Sequence, residues 1–587
     1  MNNKIIFIIA LSITDITQAT GQSLQPEVTD VKSDSSVTIT QKENESVIKN
    51  DERESISDKE SAIKSRVDVD AIKQVEKGDS QLHKEAEETT ANKKAQFDIL
   101  EIRVKGNTLL SKKVLEKSVY SFLGYKKTLD DVEQARSTLE KSYKSAGYPA
   151  VVVSIPEQKI NNGIVKIQVV EGKISRVRIS GSQYHSLTNI KQKVPALSRG
   201  NVLYLPDVQQ QLNNLNQSSP DRKITPVLRP GRSPGTVEVE LKVQDTLPMH
   251  GEVEINNRNS STTTKTRASA SLRYDNLFQK QHSFGLQYQI SPEKTEEVKV
   301  LALTYIMPVS SENDRLVIYG IDSNSKVSTL GDTTVLGNGK ILGVRWVKPL
   351  TGTQSYFHSI SPGFDYKDFE DTQEIDGTDT IFPISYWSTT FRYDASVISQ
   401  QQLYQYNASI VFGVPINSRQ NEFTSKRVNS KTNFLFFTGG VSHKYSFENK
   451  YEIRTRLDAQ IATSPLISNE QFSAGGATSV RGYFESQLVN DTGITASLEL
   501  VSPPLYESIK DINDFRLHLF YDGSKSWRKD PLPGEGDSSQ ISGAGVGFRL
   551  KALNDLSATM DVAWALKDQG EIKKNDVRLH FKLAYEF

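Results

Sequence analysis

From about Gly251 to Phe587 the helical period is absent, and segments of about ten residues alternate apolar with polar side chains between turn residues. A strand that alternates in this way has one apolar face to place away from water, and a chain of such segments resolves most simply as a sandwich or a closed barrel. The last segment is the clearest. Val577, Leu579, Phe581, Leu583, Tyr585 and Phe587 fall on one face, and Arg578, His580, Lys582 and Glu586 on the other. The segment before it sets Leu556, Met560, Val562, Trp564 and Leu566 against Ser557, Thr559, Asp561 and Lys567. Roughly sixteen segments can be counted, an even number that suits a bacterial transmembrane barrel. They start near 251, 266, 282, 297, 315, 339, 356, 384, 402, 433, 451, 493, 514, 538, 555 and 576.

The other end of the chain favours export. Met1 to Lys4 is short and basic, Ile5 to Ile13 is apolar, and small residues follow around Ala19 and Gly21. This order predicts a secretory signal peptide over 1–21, and the apolar run is too short to span a bilayer as a helix. There is no cysteine, so disulfides, thiolate metal sites and cysteine nucleophiles are all excluded. A formal net charge of zero provides no field for nucleic acid. Residues 22–95 are dominated by Ser, Thr, Glu, Lys, Asp and Asn and read as a polar linker. Asp70 to Ala95 has helix-forming composition without a continuous apolar stripe, which fits a solvated helix or, the preferred reading, more linker.

Between linker and barrel two smaller units repeat one order of elements. Leu100, Ile102 and Val104 alternate with charged residues into Gly106-Asn107, the pattern of a strand closed by a turn. A helix over Ser111 to Leu123 follows. A second begins at Thr128, where Asp131 completes a capping-box spacing, and Gly147 ends it. Strands are expected at Ala150 to Ile155 and Ile164 to Val170. The order βααββ then recurs in Ile174 to Ile179, Leu187 to Val194, Leu205 to Leu215, Ile224 to Leu228 and Val237 to Val243. Small sheets of this kind have open edges that can accept an extended peptide as a further strand.

Between the eleventh and twelfth segments lies QFSAGGATSVRGYFESQLVNDTG, too long for a hairpin turn. This loop resembles the sixth extracellular loop of the two-partner secretion transporters and of their BamA-type relatives. Val480, Arg481, Gly482 and Tyr483 match the VRGY tip that folds into the barrel lumen in those proteins. KGNTLLSK, YKSAGYPA, IPEQKINNGIVKIQVVEGKI and RPGRSPGTVEVEL are similar to their two POTRA domains, and Phe587 to the C-terminal aromatic read by the outer-membrane assembly machinery. An arginine shielded from water requires carboxylates. Strand parity supplies two. Outward Leu517, Leu519 and Tyr521 turn Arg516, His518, Phe520 and Asp522 inward, and outward Leu498 and Leu500 turn Glu499 inward. Phe520 and Asp522 also match the family's F-x-D motif, whose aspartate pairs with the loop arginine.

The resemblance implies a mainly β protein: POTRA domains at 96–172 and 173–245 in the periplasm, and a sixteen-stranded antiparallel transmembrane barrel at 246–587. It implies the TpsB role, export of a large β-helical TpsA exoprotein (haemolysin, adhesin or contact-dependent toxin) to the cell surface. The POTRA domains would engage the exoprotein's secretion domain, with outer-membrane lipid around the barrel and the assembly machinery acting during biogenesis. Position would put the family's N-terminal plug helix at Gln22 to Ile48, whose Thr, Ser and Val content weakens a helix. The runner-up is a BamA-like assembly factor, disfavoured by having only two POTRA units. A passive porin would need no POTRA domains, and a surface adhesin would need no such loop tip. No G-x-S-x-G, H-E-x-x-H or Walker A pattern occurs. GNGK at 337–340 is too short for a phosphate loop, GAGVG at 543–547 suits close backbone packing in a strand, and the eight histidines show no metal spacing. Hence no catalytic residue, no metal, no cofactor and no nucleic-acid partner is expected.

Overall fold

The computed structural model describes residues 95–587 apart from 310–313, 326, 331–332, 354, 376–377 and 507–510. The expected signal peptide, the linker save its last residue, and the candidate plug-helix segment lie outside the described residues.

In the first module Glu101–Lys105 runs parallel to Ile164–Val170, which pairs antiparallel with Val152–Ser154. Helix Lys112–Val119 and helix Leu129–Ser145 connect the strands. The second helix starts where it does because the Asp131 carboxylate accepts from the backbone N–H and the hydroxyl of Thr128, at 2.8 and 2.9 Å. It buries Val132, Ala135, Leu139 and Tyr143, a spacing that puts all four on one face. Burying a Val or Leu side chain in this way contributes about 1.5–3 kcal/mol. Sequence patterning does not anticipate one further ladder, Phe97–Ile99 against Gly124–Lys127. Its second strand, GYKK, has no alternation.

The second module repeats the plan, with Lys173–Ser180 parallel to Thr236–Asp245 and Arg222–Pro230 antiparallel on the other side. Helices Leu187–Gln192 and Leu205–Gln217 pack on the sheet. The modules meet through Leu205 N–H donating to the Gly147 carbonyl at 2.9 Å and through the rings of Tyr148 and Tyr204, 5.0 Å apart.

Sixteen antiparallel strands then close into a barrel, which leaves no edge in the bilayer. Fifteen begin within two residues of the sequence-derived starts; the eighth begins at Thr378 rather than 384. It belongs to a hairpin of 20- and 21-residue strands, Tyr356–Ile375 and Thr378–Ile398, about twice the length needed to cross a membrane. Closure joins Val577–Glu586 to Met249–Asn256 over five pairs, from Lys582 opposite Asn256 to Glu586 opposite Glu252. Beyond them Gly251 and Phe587 exchange two backbone bonds of 2.9 and 3.0 Å. The first and second strands, by contrast, share eight pairs.

Two features depart from simple alternation. Val300, Ala302, Val317, Tyr319 and Ile321 are buried on the inner face, opposite the outward Leu301 and Leu303, so this part of the lumen wall is apolar. Alternation fixes which residues face lipid, whereas the chemistry of the inner face follows from what packs there. The fifth extracellular loop also carries a short helix, Gln420–Lys426, anchored by Phe423 against Tyr386 and Phe434.

A buried loop tip as the candidate functional site

The sixth extracellular loop enters the barrel through a small ladder, Phe472–Ala474 against Leu488–Asn490. Above it the chain reverses at Gly475 and Gly476, with φ of +113° and +103°, a region that favours glycine. A Cβ on Gly476 would come within 2.3 Å of the Glu485 carboxylate, which accepts from Ala477 N–H at 2.9 Å. The tip is therefore shaped by its own backbone before it touches the wall.

At the tip Val480 and Tyr483 are fully buried and Arg481 is 5% exposed. Arg481 Nε donates to Asp522 Oδ2 at 2.7 Å and Nη2 to Oδ1 at 2.9 Å. Its backbone N–H reaches the same carboxylate at 3.2 Å, and Nη1 donates to Glu499 Oε1 at 2.7 Å. The guanidinium carbon lies 3.5 Å from the centre of the Phe520 ring. Asp522, Phe520 and Glu499 thus surround one side chain, reached from the strands Thr492–Val501 and Ile512–Trp527. Gly482, with φ +97°, brings its N–H to His580 Nε2 at 3.0 Å. The Tyr483 hydroxyl donates to the carbonyls of Ser542 and Lys567, at 3.0 and 2.7 Å.

Further residues complete the site. Asp561 lies 3.6 Å from Arg481 and 2.7 Å from His518 Nε2; Arg549 donates to Glu499 Oε2 at 2.7 Å; Ser497 donates to Asp522 Oδ1 at 2.6 Å. Parity placed His518 and Asp561 on inward faces, but their proximity to the loop depends on the barrel's curvature. Arg516, also inward, goes elsewhere, to Glu452 at 3.0 Å. GAGVG also finds its explanation. Gly543, Gly545 and Gly547 stand opposite Asp522, Phe520 and His518, and a Cβ on Gly543 would lie 2.0 Å from the Arg481 carbonyl oxygen. The glycines make the room the tip occupies.

Two guanidiniums and three carboxylates, all largely withheld from water, hold a loop to a wall. Such a cluster adds little net stability over an apolar contact, but losing one partner costs about 3–5 kcal/mol because the other charge is stranded. It therefore favours one docked position over near alternatives. Phe587 lies away from this cluster, at the seam, with its ring over Gly251, where a Cβ would come within 2.2 Å of the ring.

A closed sixteen-stranded barrel, two small βααββ modules ahead of it and a loop fixed in its lumen define an outer-membrane transporter of the POTRA-barrel class, with the modules in the periplasm. Residues 235–550, just over half of the chain, match the family of haemolysin secretion/activation proteins ShlB/FhaC/HecB, and residues 97–172 match the ShlB-type POTRA domain. The chain belongs to this family of two-partner secretion transporters. Among curated relatives, the heme/hemopexin transporter protein HuxB of Haemophilus influenzae is 20% identical over 76% of this chain and 79% of its own length. The outer membrane transporter CdiB of Dickeya dadantii is 27% identical over 31% of this chain, a match spanning about a third (32%) of that relative. In fold the chain is similar to CdiB from Escherichia coli, with a TM-score of 0.55 and 17% identity over 89% of this chain and all (100%) of the other. It is also similar to BamA from Haemophilus ducreyi lacking POTRA domains 1–3, with a TM-score of 0.54 and 14% identity over 84% of this chain and 100% of that one.

Proposed function

We propose that the cargo is one large β-helical exoprotein whose N-terminal secretion domain is captured by the periplasmic modules through strand addition and groove contacts. The open sheet edges support this reading. In the second module the edge Arg222–Pro230 contains Pro226 and Pro230, which lack an N–H, so the opposite edge, Arg176–Ser180, carries the better row of donors. The names of the relatives point to heme/hemopexin transport in one case and to an outer membrane transporter in the other, so transport is what the two names share.

The observation that carries the mechanism is the Arg481 fork on Asp522 and Glu499. It acts as a latch whose docked and released positions set the conductive state of the lumen. No covalent chemistry is required, and folding of the cargo outside the cell supplies direction. Leu498, Leu500, Leu517, Leu519 and Tyr521 form part of the lipid-facing band, and Phe587 serves the assembly machinery during biogenesis.

The test is secretion of the cargo by Arg481→Ala and Asp522→Ala variants, with barrel folding followed by heat-modifiable gel mobility. Export should fall in both while the barrel persists. Normal export by both at normal abundance overturns the latch.

A further inference from the structure

Where the second module meets the barrel, three potential ligands come from three separate segments. Asp221 sits on the turn after helix Leu205–Gln217, His250 on the first barrel strand and Asp275 on the second. His250 Nε2 lies 3.1 Å from Asp221 Oδ1 and 3.6 Å from Asp275 Oδ2, and one ligand atom from each residue falls within 4.8 Å of the others. Their sequence spacing gives no metal signature, because the chain brings them together only when the module docks on the barrel.

Two further observations point to an ion. The Asp221 side chain is only 6% exposed, yet its Oδ2 has no hydrogen-bond partner. His250 Nε2 also has none, although two carboxylates flank it, so its lone pair or N–H is not aligned with either. Ligand atoms around a tetrahedral zinc with bonds of about 2.0–2.2 Å stand ~3.4 Å apart, and the distances of 3.1 and 3.6 Å bracket that separation. A protonated imidazole bridging two carboxylates would instead align its N–H with one of them.

The surroundings hold the three residues in place. Thr246 N–H donates to the Asp221 carbonyl at 2.9 Å, Asp275 N–H to the Pro248 carbonyl at 2.7 Å, and His250 stands opposite Arg273 in the strand register. Arg273 Nε donates to Asp275 Oδ2 at 3.1 Å, which fixes that carboxylate while its charge lowers the affinity for a cation.

We propose that Asp221, His250 and Asp275 bind a divalent transition-metal ion of the zinc type, with water completing its coordination, and that the ion clamps the second module to the barrel across the Thr246–Pro248 connection. One imidazole and two carboxylates suit zinc better than calcium or magnesium, which prefer all-oxygen shells.

The test uses the full chain in detergent, purified without a histidine tag, with zinc(II) alone as the probe in competition with a chromogenic chelator. Wild type should bind one equivalent. Asp221→Asn and His250→Gln should each weaken binding by at least about tenfold, with the barrel intact by heat-modifiable mobility. Should either variant fail to form a barrel, Asp275→Asn is measured in its place. Zinc should also slow amide exchange over residues 246–250 in wild type alone. Wild-type retention no greater than that of a His250→Gln, Asp275→Asn double variant overturns the site, as does undiminished binding by the single variants.

Discussion

The guanidinium of Arg481 spans the carboxylate of Asp522, Nε to Oδ2 at 2.7 Å and Nη2 to Oδ1 at 2.9 Å, while its third nitrogen is left to reach Glu499. Three nitrogens in one plane serve two strands at once. A lysine has one ammonium on a flexible stem and cannot match this geometry. Arg481→Lys should therefore undock the tip although the charge is retained, and Asp522→Ala should cost the docked state about 3–5 kcal/mol. Hydrogen exchange over residues 476–485 in detergent measures both. Rates in Asp522→Ala should rise roughly 100-fold or more, and wild-type rates in both variants would refute the latch.

Space can be tested apart from charge. Gly543→Ala places a methyl 2.0 Å from the Arg481 carbonyl oxygen, a backbone atom that cannot swing aside. Gly523→Ala, on the neighbouring strand, meets nothing within 4 Å and serves as the matched control. The first should release the tip, read as protease cleavage within residues 476–485, and the second should leave it protected. Equal protection in both would show that the tip is not seated against Gly543.

Much of this was legible because a strand has a period of two. Once Leu517, Leu519 and Tyr521 are assigned to lipid, Phe520 and Asp522 have only the lumen to face, and the same reasoning turns Glu499 inward. Parity does not say which inward residues lie near each other. Arg516 and His518 are equally inward, yet one meets Glu452 and the other Asp561 beside the loop. That outcome depends on register and curvature accumulated over several strands. The apolar inner patch around Val317 and Tyr319 was illegible for a related reason, since patterning identifies the lipid face and leaves the other unspecified.

The second module should loosen in mild acid. Burial, and then the nearby Arg222, hold the His185 imidazole below its ordinary range. Burial, the largest effect on Asp245, would raise its pKa, but the N–H groups of Gln183 and Tyr184 together with His185 and Ser182 outweigh it and hold the carboxylate below its usual range. A lowered folded pKa gives stability that is complete above the unfolded value and is lost as pH falls below it. The loss therefore begins below about 6.5 for His185 and continues through the carboxylate range for Asp245. The Tyr184 carbonyl accepts from Asn276, near the end of the second barrel strand, and from Gln279 of the periplasmic turn that follows, so this loop also holds the module to the barrel. Exchange of amides 182–190, corrected for intrinsic rate, should accelerate from pH 7.5 to 5 in wild type. In His185→Asn the part of that change above pH 5.5 should disappear; if it persists, His185 is not its source.

The seam distinguishes transport through the lumen from release through the wall. Five pairs close the barrel, and because Gly251 and Phe587 exchange both backbone bonds, the adjacent Glu252 and Glu586 form a non-hydrogen-bonded pair. Such pairs bring Cα atoms to about 4.5 Å, within disulfide range. The chain has no cysteine, so Glu252→Cys with Glu586→Cys would create a single possible bridge and remove two acids that face each other. A transporter that passes its cargo along the lumen should export equally well with the bridge oxidised or reduced. A barrel that opens at this seam should stop on oxidation and recover on reduction. Cargo in the medium is compared before and after a membrane-impermeant reductant, with bridge formation read from the gel shift of the unheated barrel. Equal export in both states favours the lumen, and export that depends on the reductant would place the path through the seam.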